Sequence, residues 1–583
     1  MNGKFLLVAV NAKYIHSNPG IYSLKACSGE LSDEVELAEY TINLELDLAL
    51  RDIYRRRPAV LGLSCYIWNI RYIKELTEVL GRVCPGLPVW LGGPEVSHCA
   101  AEILERMPEV TGVMRGEGEI VFKHVLSYYA AGAPALEDIP GITWREPGGR
   151  IVENLPERPA RLDEVPFLYE GAEKFENKII YYESSRGCPF SCSYCLSSVD
   201  RQVRFKSLPV VFRELQRLLD QKVKQVKFVD RTFNCRKSHG LEIWKYLKEH
   251  DNGVTNFHFE IAADLIGEEE LDVISGMRPG LIQLETGVQS TNPRTLKEIR
   301  RNADFSRISQ VTERIRKFGN THQHLDLIAG LPYEDYESFG RSFNDVYRLR
   351  PDQLQLGFLK VLRGSHMYDM AESYGLVYRP EPPYEVLYTR WLSYEDVLKL
   401  KAVEEMVEVY YNSGQFSNTM EYLLRFFSSA FSMYEALARY YEDKGLLGMG
   451  HTRLKRYEIL SDFAILLNLG KRVACSSVLM YDIYLRENAK SLPGFRMEQG
   501  QYWERVRAFF RQEEKERRYL KGREGLSAKQ MMYDAHVEVF PVDMELLLKE
   551  GVCQEEECAV LFDYSIRDPL HRNAGARRIA LPQ

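Results

Sequence analysis

Short apolar runs alternate with amphipathic segments through residues 1–135, and this alternation predicts strands and helices in turn. The predicted strands are 4–10, 35–40, 59–64, 88–93 and 112–114, and the predicted helices are 21–29, 44–56, 72–83, 100–107 and 120–129. Because the connections are short, the alternation predicts an α/β fold with a Rossmann-like, doubly wound parallel sheet. Such sheets bind their ligands beyond the carboxyl ends of the strands.

A second alternating region, 178–378, predicts six further strand–helix units. Its predicted strands are 179–182, 226–229, 256–262, 281–284, 324–329 and 353–359. Six units predict a central partial (β/α)6 barrel, with its chemistry at the carboxyl ends of the strands. Between the two regions, 136–177 is predicted to be a linker with a hairpin at 141–154.

Residues 379–583 change in character and predict a mainly α-helical C-terminal domain. Helices are expected at 393–412, 418–424, 429–444, 454–467 and 502–519, and a pair of strands at 536–540 and 559–564. We expect this domain to cover the mouth of the barrel and to help select the substrate.

Composition narrows the class of protein. The net charge of −7 over 583 residues gives no indication of nucleic-acid binding. The sequence has no apolar run of roughly 18 residues, so no membrane span is predicted. Most of the eleven cysteines are scattered, which favours reduced thiols in a reducing compartment, the cytoplasm, over a disulfide framework.

The exception is a cluster of three cysteines, Cys188, Cys192 and Cys195, in the stretch 184–195 with C-x3-C-x2-C spacing. Gly187 and Pro189 keep this loop out of a helix, so that the sulfur atoms can converge. Zinc sites and common ferredoxin clusters take four protein ligands. Three thiolates on so short a loop can instead hold three irons of a cubane and leave the fourth iron open to a small molecule.

This spacing, with an aromatic residue, Tyr194, just before the last cysteine, resembles the signature of the radical S-adenosylmethionine (SAM) superfamily. The resemblance implies a 4Fe-4S cluster on the three cysteines and SAM on the open iron. The runs 285–290 and 326–332 further resemble radical enzymes related to oxygen-independent coproporphyrinogen oxidase and the cobalamin-dependent methylases. The expected SAM contacts are Tyr194 of the cysteine loop and the polar strand-end residues Asp230, Glu260, Glu285, Gln289 and Ser290. Taken singly, each strand-end residue could equally be a structural hydrogen bonder, and their recurrence at successive strands favours a site. Arg231 and Arg363 are candidate anion contacts, with solvation at the protein surface as the default for both.

Glycine-rich loops follow the strands of the first region, and they resemble the cobalamin-binding domain found ahead of many radical SAM domains. The expected cobalamin contacts are Asn11, His16, Ser64, Tyr66, Trp68, Gly92, Gly93, Pro94, Glu95, Gly116 and Glu117. Domains that ligate cobalt from below carry Asp-x-His-x-x-Gly after the first strand. Here Tyr14 replaces the Asp, and Gly20 lies one residue too far from His16, so a loop-structuring role is the default for this histidine.

The combined resemblance predicts a radical SAM enzyme that also binds cobalamin and that methylates an unactivated carbon through a deoxyadenosyl radical. The expected partners are a small-molecule or peptide substrate and an external electron donor such as flavodoxin or ferredoxin. Two alternatives stay open: a rearrangement or cyclisation enzyme without methyl transfer, and a corrinoid- or redox-sensing binding protein with an inert cluster.

Overall fold

The computed structural model describes residues 3–169, 175 and 177–582. The first sheet has five parallel strands in the order 2-1-3-4-5, and the predicted hairpin adds two antiparallel strands at one edge. The strands are Phe5–Asn11, Val35–Thr41, Val60–Ser64, Val89–Gly92, Gly112–Met114, Ile142–Arg145 and Ile151–Glu153. The α-helices of this part are Pro19–Cys27, Leu46–Arg56, Ile70–Val83, Pro94–Ser97, Ala100–Arg106 and Gly118–Ala131.

The first strand shows why this sheet is doubly wound. All of its residues are buried, and successive side chains face two separate cores. Leu6 and Val8 pack on one side of the sheet, and Phe5 and Leu7 pack on the other. A strand buried on both faces is typical of a parallel sheet covered by two layers of helices.

Six parallel strands follow in sequential order and form the incomplete barrel. They are Ile180–Tyr182, Gln225–Phe228, Asn256–Ile261, Ile282–Gln289, His322–Ala329 and Gln353–Phe358. The α-helices of the barrel are Leu208–Asp220, Lys237–Glu249, Glu268–Ser275, Pro293–Glu298, Phe305–Phe318 and Tyr336–Arg348. The fourth strand runs further than predicted, through a bulge at residues 287–289, so residues 285–289 of the run 285–290 lie within it.

Other parts of the chain protect both edges of this open sheet. At the first strand, the Ile179 N–H donates to the Ile15 carbonyl at 2.7 Å, which docks a loop of the N-terminal domain on the edge. At the last strand, the Asn412 side-chain amide accepts from the Leu354 N–H at 2.9 Å and donates to the Leu354 carbonyl at 3.0 Å. Both contacts satisfy backbone groups that an edge strand leaves exposed.

The C-terminal region is mainly helical, as predicted. Its α-helices are Tyr394–Val407, Ser417–Leu424, Ala430–Asp443, Arg453–Leu466, Arg472–Arg486, Trp503–Glu516, Ala528–Asp534 and Met544–Glu550. A π-helix, Glu408–Asn412, extends the first of them. The strands Ala535–Val542, Glu555–Arg567 and Ala574–Ile579 form an antiparallel sheet. None of the described helices has both the length and the apolar character needed to cross a membrane.

This region packs against the side of the barrel. The last barrel helix, Tyr336–Arg348, contacts the helix Ala430–Asp443. The centroids of the Phe343 and Phe431 rings lie 5.6 Å apart in this contact. Residues 379–582 line neither of the two cavities described below. The lining of these cavities therefore gives no support to the expectation that this region covers the mouth of the barrel.

Candidate functional site

Two adjoining cavities lie where the carboxyl ends of the first sheet meet the barrel. The larger, about 650 Å³, is lined from one side by the loops of the N-terminal domain and from the other by the first two barrel strands. The smaller cavity, about 200 Å³, is lined by the cysteine loop and by residues at the carboxyl ends of the following barrel strands. Ser197 and Arg231 line both cavities.

The three cysteines of the loop, Cys188, Cys192 and Cys195, all line the smaller cavity. The loop is fixed by its backbone: the Cys188 N–H donates to the Asp200 carbonyl at 3.2 Å. Gly187 has a φ of +98°, and a Cβ there would lie 2.6 Å from the Gln202 carbonyl oxygen, so only glycine fits. All eleven cysteines have free thiols, which leaves the three sulfur atoms free to ligate a cluster.

Asp230 lies under this loop and does not reach the cavity, in contrast to the expected SAM contact. Its buried carboxylate accepts hydrogen bonds from the Ser184 N–H at 2.9 Å and from the hydroxyls of Ser184 and Ser185, each at 2.6 Å. Burial raises the pKa of Asp230 to about 6. Asp230 therefore holds Ser184 and Ser185, at the start of the cysteine loop, in place.

Of the other expected SAM contacts, Tyr194, Glu260, Glu285 and Gln289 line the smaller cavity together with the three cysteines. Gln289 has a φ of +70°, and its buried Oε1 has no hydrogen-bond partner among the described residues. An acceptor left without a partner in a polar cavity fits a ligand that donates a hydrogen bond.

Ser290 lies outside the cavity. Its buried hydroxyl donates to Glu334 Oε1 at 2.7 Å, and the Ser342 hydroxyl donates to the same oxygen at 2.9 Å. Gln289 thus lines the cavity, while Ser290, the residue after the strand, braces the loop that follows the fifth strand. Burial raises the pKa of Glu334 to about 7.

The carboxylates in the cavity have different electrostatic surroundings. Burial alone would raise the pKa of Glu285, but His258 at 2.8 Å and Lys227 at 3.4 Å lower it to about 2. Burial raises the pKa of Glu260, and it also raises that of Asp326. Glu285 is therefore a permanent anion, whereas the other two hold a proton more readily. Such carboxylates can accept hydrogen bonds from the ammonium and ribose hydroxyls of SAM.

Arg301 is a residue of this cavity that the sequence did not point to. It follows a helix directly beside Arg300 and resembles a solvated helix end, yet it is only partly exposed and lines the smaller cavity. Its guanidinium donates to Cys192 Sγ at 3.7 Å, to the Tyr194 hydroxyl at 3.4 Å and to the Gly287 carbonyl. The neighbouring Tyr194 and Cys192 raise its pKa against the effect of burial. This cation is positioned to hydrogen-bond a cluster thiolate and to meet a ligand carboxylate.

Seven of the expected cobalamin contacts line the larger cavity. They are Ser64, Tyr66, Gly92, Gly93, Pro94, Gly116 and Glu117. The Ser64 hydroxyl is buried and lacks a hydrogen-bond partner within the described ranges. Gly93 has a φ of +119°, and a Cβ there would lie 2.4 Å from the Cys65 carbonyl oxygen. An unsatisfied hydroxyl beside closely packed glycine backbone fits a large ligand that approaches the main chain.

His16 does not line this cavity, so the structure gives it no position against a corrinoid. Its Nδ1 lies 2.7 Å from the Tyr181 hydroxyl, and its backbone bridges Ile179 at the edge of the barrel. Burial lowers its pKa. His16 thus joins the two domains, in keeping with the loop-structuring role that its altered motif predicts.

Asn11, Trp68 and Glu95 also lie outside the lining. Asn11 is buried and hydrogen-bonds within its own neighbourhood. Trp68 stacks on Tyr66 at 4.4 Å and supports that ring from behind. Glu95 accepts a hydrogen bond from Tyr384, which lies in the segment after the barrel. These residues support the lining without forming it.

Arg363 likewise lines neither cavity. It pairs with Glu102 of the N-terminal domain, so its charge is used in a contact between domains. Of the two candidate anion contacts, only Arg231 faces the cavities.

Comparison with known proteins assigns a family to each region. Residues 6–126 match the B12 binding domain, residues 182–346 match the radical SAM superfamily, and residues 372–562 match a protein family of unknown function, DUF4080. The chain is therefore a radical SAM protein with a cobalamin-binding domain and a DUF4080 region. These domains confirm the predicted cofactor set: a 4Fe-4S cluster, SAM and cobalamin.

Individual relatives agree with this assignment. An uncharacterized methyltransferase of Pyrococcus horikoshii is 26% identical over 59% of this chain and 74% of its own length. The cobalamin-dependent radical SAM methyltransferase TokK of Streptomyces tokunonensis is 26% identical over 48% of this chain, and the match spans only 44% of TokK. The cobalamin-dependent SAM radical enzyme OxsB shares the fold, with a TM-score of 0.58 at 14% identity, over 82% of this chain and 79% of OxsB.

Proposed function

We propose that this protein is a cobalamin-dependent radical SAM methyltransferase that acts on an unactivated carbon. The observation that carries the proposal is the contact between the two cavities, one lined by the B12-binding domain and one by the three cysteines, at Ser197 and Arg231. When bound, the cluster and SAM supply a deoxyadenosyl radical, and cobalamin supplies the methyl group.

The residues of the chain supply placement. Cys188, Cys192 and Cys195 would hold three irons, and Arg301 would steady the Cys192 thiolate and the SAM carboxylate. Glu285, kept ionised by His258 and Lys227, would accept hydrogen bonds from SAM on the opposite wall. The larger cavity, with Ser64 and the glycine loops, would hold the corrinoid.

Supporting evidence also comes from the names of the relatives in Pyrococcus horikoshii and Streptomyces tokunonensis, both methyltransferases. The cytoplasmic location, the external electron donor and the assignment of individual residues stay predictions.

The test is anaerobic purification and reconstitution with iron, sulfide and cobalamin, followed by separate measurements of bound corrinoid and of 5′-deoxyadenosine formed from SAM. We expect one corrinoid per chain and reductant-dependent deoxyadenosine. Cys192→Ser should lose SAM cleavage and keep the corrinoid, whereas Gly93→Val should lose the corrinoid and keep the cluster.

Cys235→Ser is the matched control, because Cys235 is half-buried near the cluster loop but lines neither cavity. This variant should both retain the corrinoid and cleave SAM. Corrinoid binding without SAM cleavage would favour the sensing protein. SAM cleavage without use of methylcobalamin, when substrate is present, would favour the rearrangement enzyme.

A further inference from the structure

The junction of the two cavities is formed by two hydrogen-bond donors. Ser197 and Arg231 are the residues that line both cavities within the described part of the chain. Ser197 follows the last cysteine of the loop by two residues, and Arg231 follows the second barrel strand. A substrate must sit at this junction if SAM lies on one side and the corrinoid on the other.

The charge of Arg231 is not used by the protein itself. Across residues 3–169, 175 and 177–582, its side chain forms no hydrogen bond and no ion pair, unlike the nearby Arg186 and Arg204. Burial raises the pKa of Tyr66 in the larger cavity and of Glu260 in the smaller one, and the Arg231 charge is close enough to oppose the rise at both. The guanidinium therefore lies between the two cavities.

We propose that Arg231, with Ser197, binds an anionic group of the substrate, a carboxylate or a phosphate monoester, at the junction of the two cavities. A guanidinium presents a planar set of donors that matches both anions, and the serine hydroxyl adds a donor from the opposite segment. This inference rests on the proposed function, because it requires both cofactors to occupy their cavities. It narrows the substrate to acids whose reacting carbon lies close to the anionic group.

The probe is methyl phosphate, whose phosphorus nucleus relaxes faster near a paramagnetic centre. The holoprotein is prepared with cob(II)alamin, an oxidised cluster and saturating SAM, so that SAM is bound but not cleaved. We expect enhanced phosphorus relaxation, reversed by acetate and unaffected by uncharged acetamide. A charge-assisted hydrogen bond of about 1.5 kcal/mol or more predicts that Arg231→Gln weakens binding roughly tenfold.

Arg231→Lys should retain part of the binding, because it keeps the charge. Arg55→Gln, an exposed change at the end of a helix in the first domain, is the matched control and should bind as the wild type does. Equal relaxation in Arg231→Gln and wild type would overturn the inference. An enhancement that is present in a sample without SAM and absent at saturating SAM would also overturn it, since SAM would then hold Arg231. A wild type that neither retains corrinoid nor cleaves SAM would instead overturn the proposed function and the inference with it.

Discussion

The Arg186 guanidinium donates to Glu119 Oε1 at 2.9 Å and so ties the cysteine loop to the cobalamin-binding domain. Arg186 lies two residues before Cys188, and Glu119 lies in the first turn of the helix Gly118–Ala131. The same guanidinium also pairs with Glu117 at 2.9 Å and with Glu183 at 2.7 Å. One largely buried cation therefore sets the position of one cofactor cavity relative to the other.

Replacing Arg186 should destabilise the protein and separate the two halves of the site. Arg186→Gln leaves three carboxylates without their shared cation, and breaking a buried pair costs about 3 kcal/mol. We expect that loss in the free energy of unfolding by urea. Arg150→Gln, which breaks an exposed pair with Glu146, is the control and should leave stability unchanged; equal stability of the two variants would contradict the assignment.

The Gly187→Ala substitution should prevent the cysteine loop from closing. The new Cβ would meet the Gln202 carbonyl oxygen, and the residue would be held at a positive φ. We expect less than half of the wild-type iron per chain after reconstitution, measured by iron analysis. Gly148→Ala, at a turn where a Cβ meets nothing within 4 Å, should retain full iron content. Full iron in both variants would show that the loop tolerates the change.

Removing Arg301 should lower the reduction potential of the cluster. A guanidinium hydrogen bond to Cys192 Sγ stabilises the more negative, reduced state, because hydrogen bonds to sulfur and local charge set such potentials. Arg301→Gln should therefore shift the potential to more negative values in a titration followed by electron paramagnetic resonance, and it should raise the KM for SAM. Arg300→Gln, at the exposed neighbour, should change neither quantity. A potential unchanged in Arg301→Gln would mean that the cation does not act on the cluster.

Glu334 should make stability fall as the pH rises. Burial raises its pKa from 4.5 to about 7, so the folded protein holds a proton that the unfolded chain releases between those values. The stabilisation is complete below pH 4.5 and is lost as the pH passes through about 7, by up to roughly 3 kcal/mol. Glu334→Gln mimics the protonated form and keeps the acceptor for Ser290 and Ser342.

The difference in urea midpoint between wild type and Glu334→Gln isolates this group from other acids with raised pKa, such as Asp230. The two midpoints should agree near pH 4, below the pKa of the unfolded chain, and the wild type should be the less stable at pH 8. A constant difference across this range would contradict the assignment.

Periodicity was sufficient for the order of strands and helices in the first two regions, because buried parallel strands and amphipathic helices have distinct patterns. It failed at helix Arg472–Arg486, where ten side chains are buried and an amphipathic stripe is absent. It also missed the strand Ala574–Ile579, whose small and charged residues do not alternate.

For the site, the cysteine spacing placed the cluster ligands in the smaller cavity, since they are local in sequence. Whether a strand-end residue faces the cavity was harder to predict. Asp230 and Ser290 lie outside the cavity and support loops, while Arg301 reaches the cavity from a position that resembles a helix end. These orientations depend on partners that are distant in the chain, which a single sequence does not reveal.

The most direct test of the account is magnetic coupling between the two cofactors in one chain. The protein is loaded with cob(II)alamin, its cluster is reduced in the absence of SAM, and the spin relaxation of cobalt is measured by pulsed electron paramagnetic resonance. Adjoining cavities predict that cluster reduction accelerates cobalt relaxation, and that Cys192→Ser, which has no cluster, removes the effect. Cobalt relaxation that stays the same when the cluster is reduced would contradict the arrangement on which the proposed function depends.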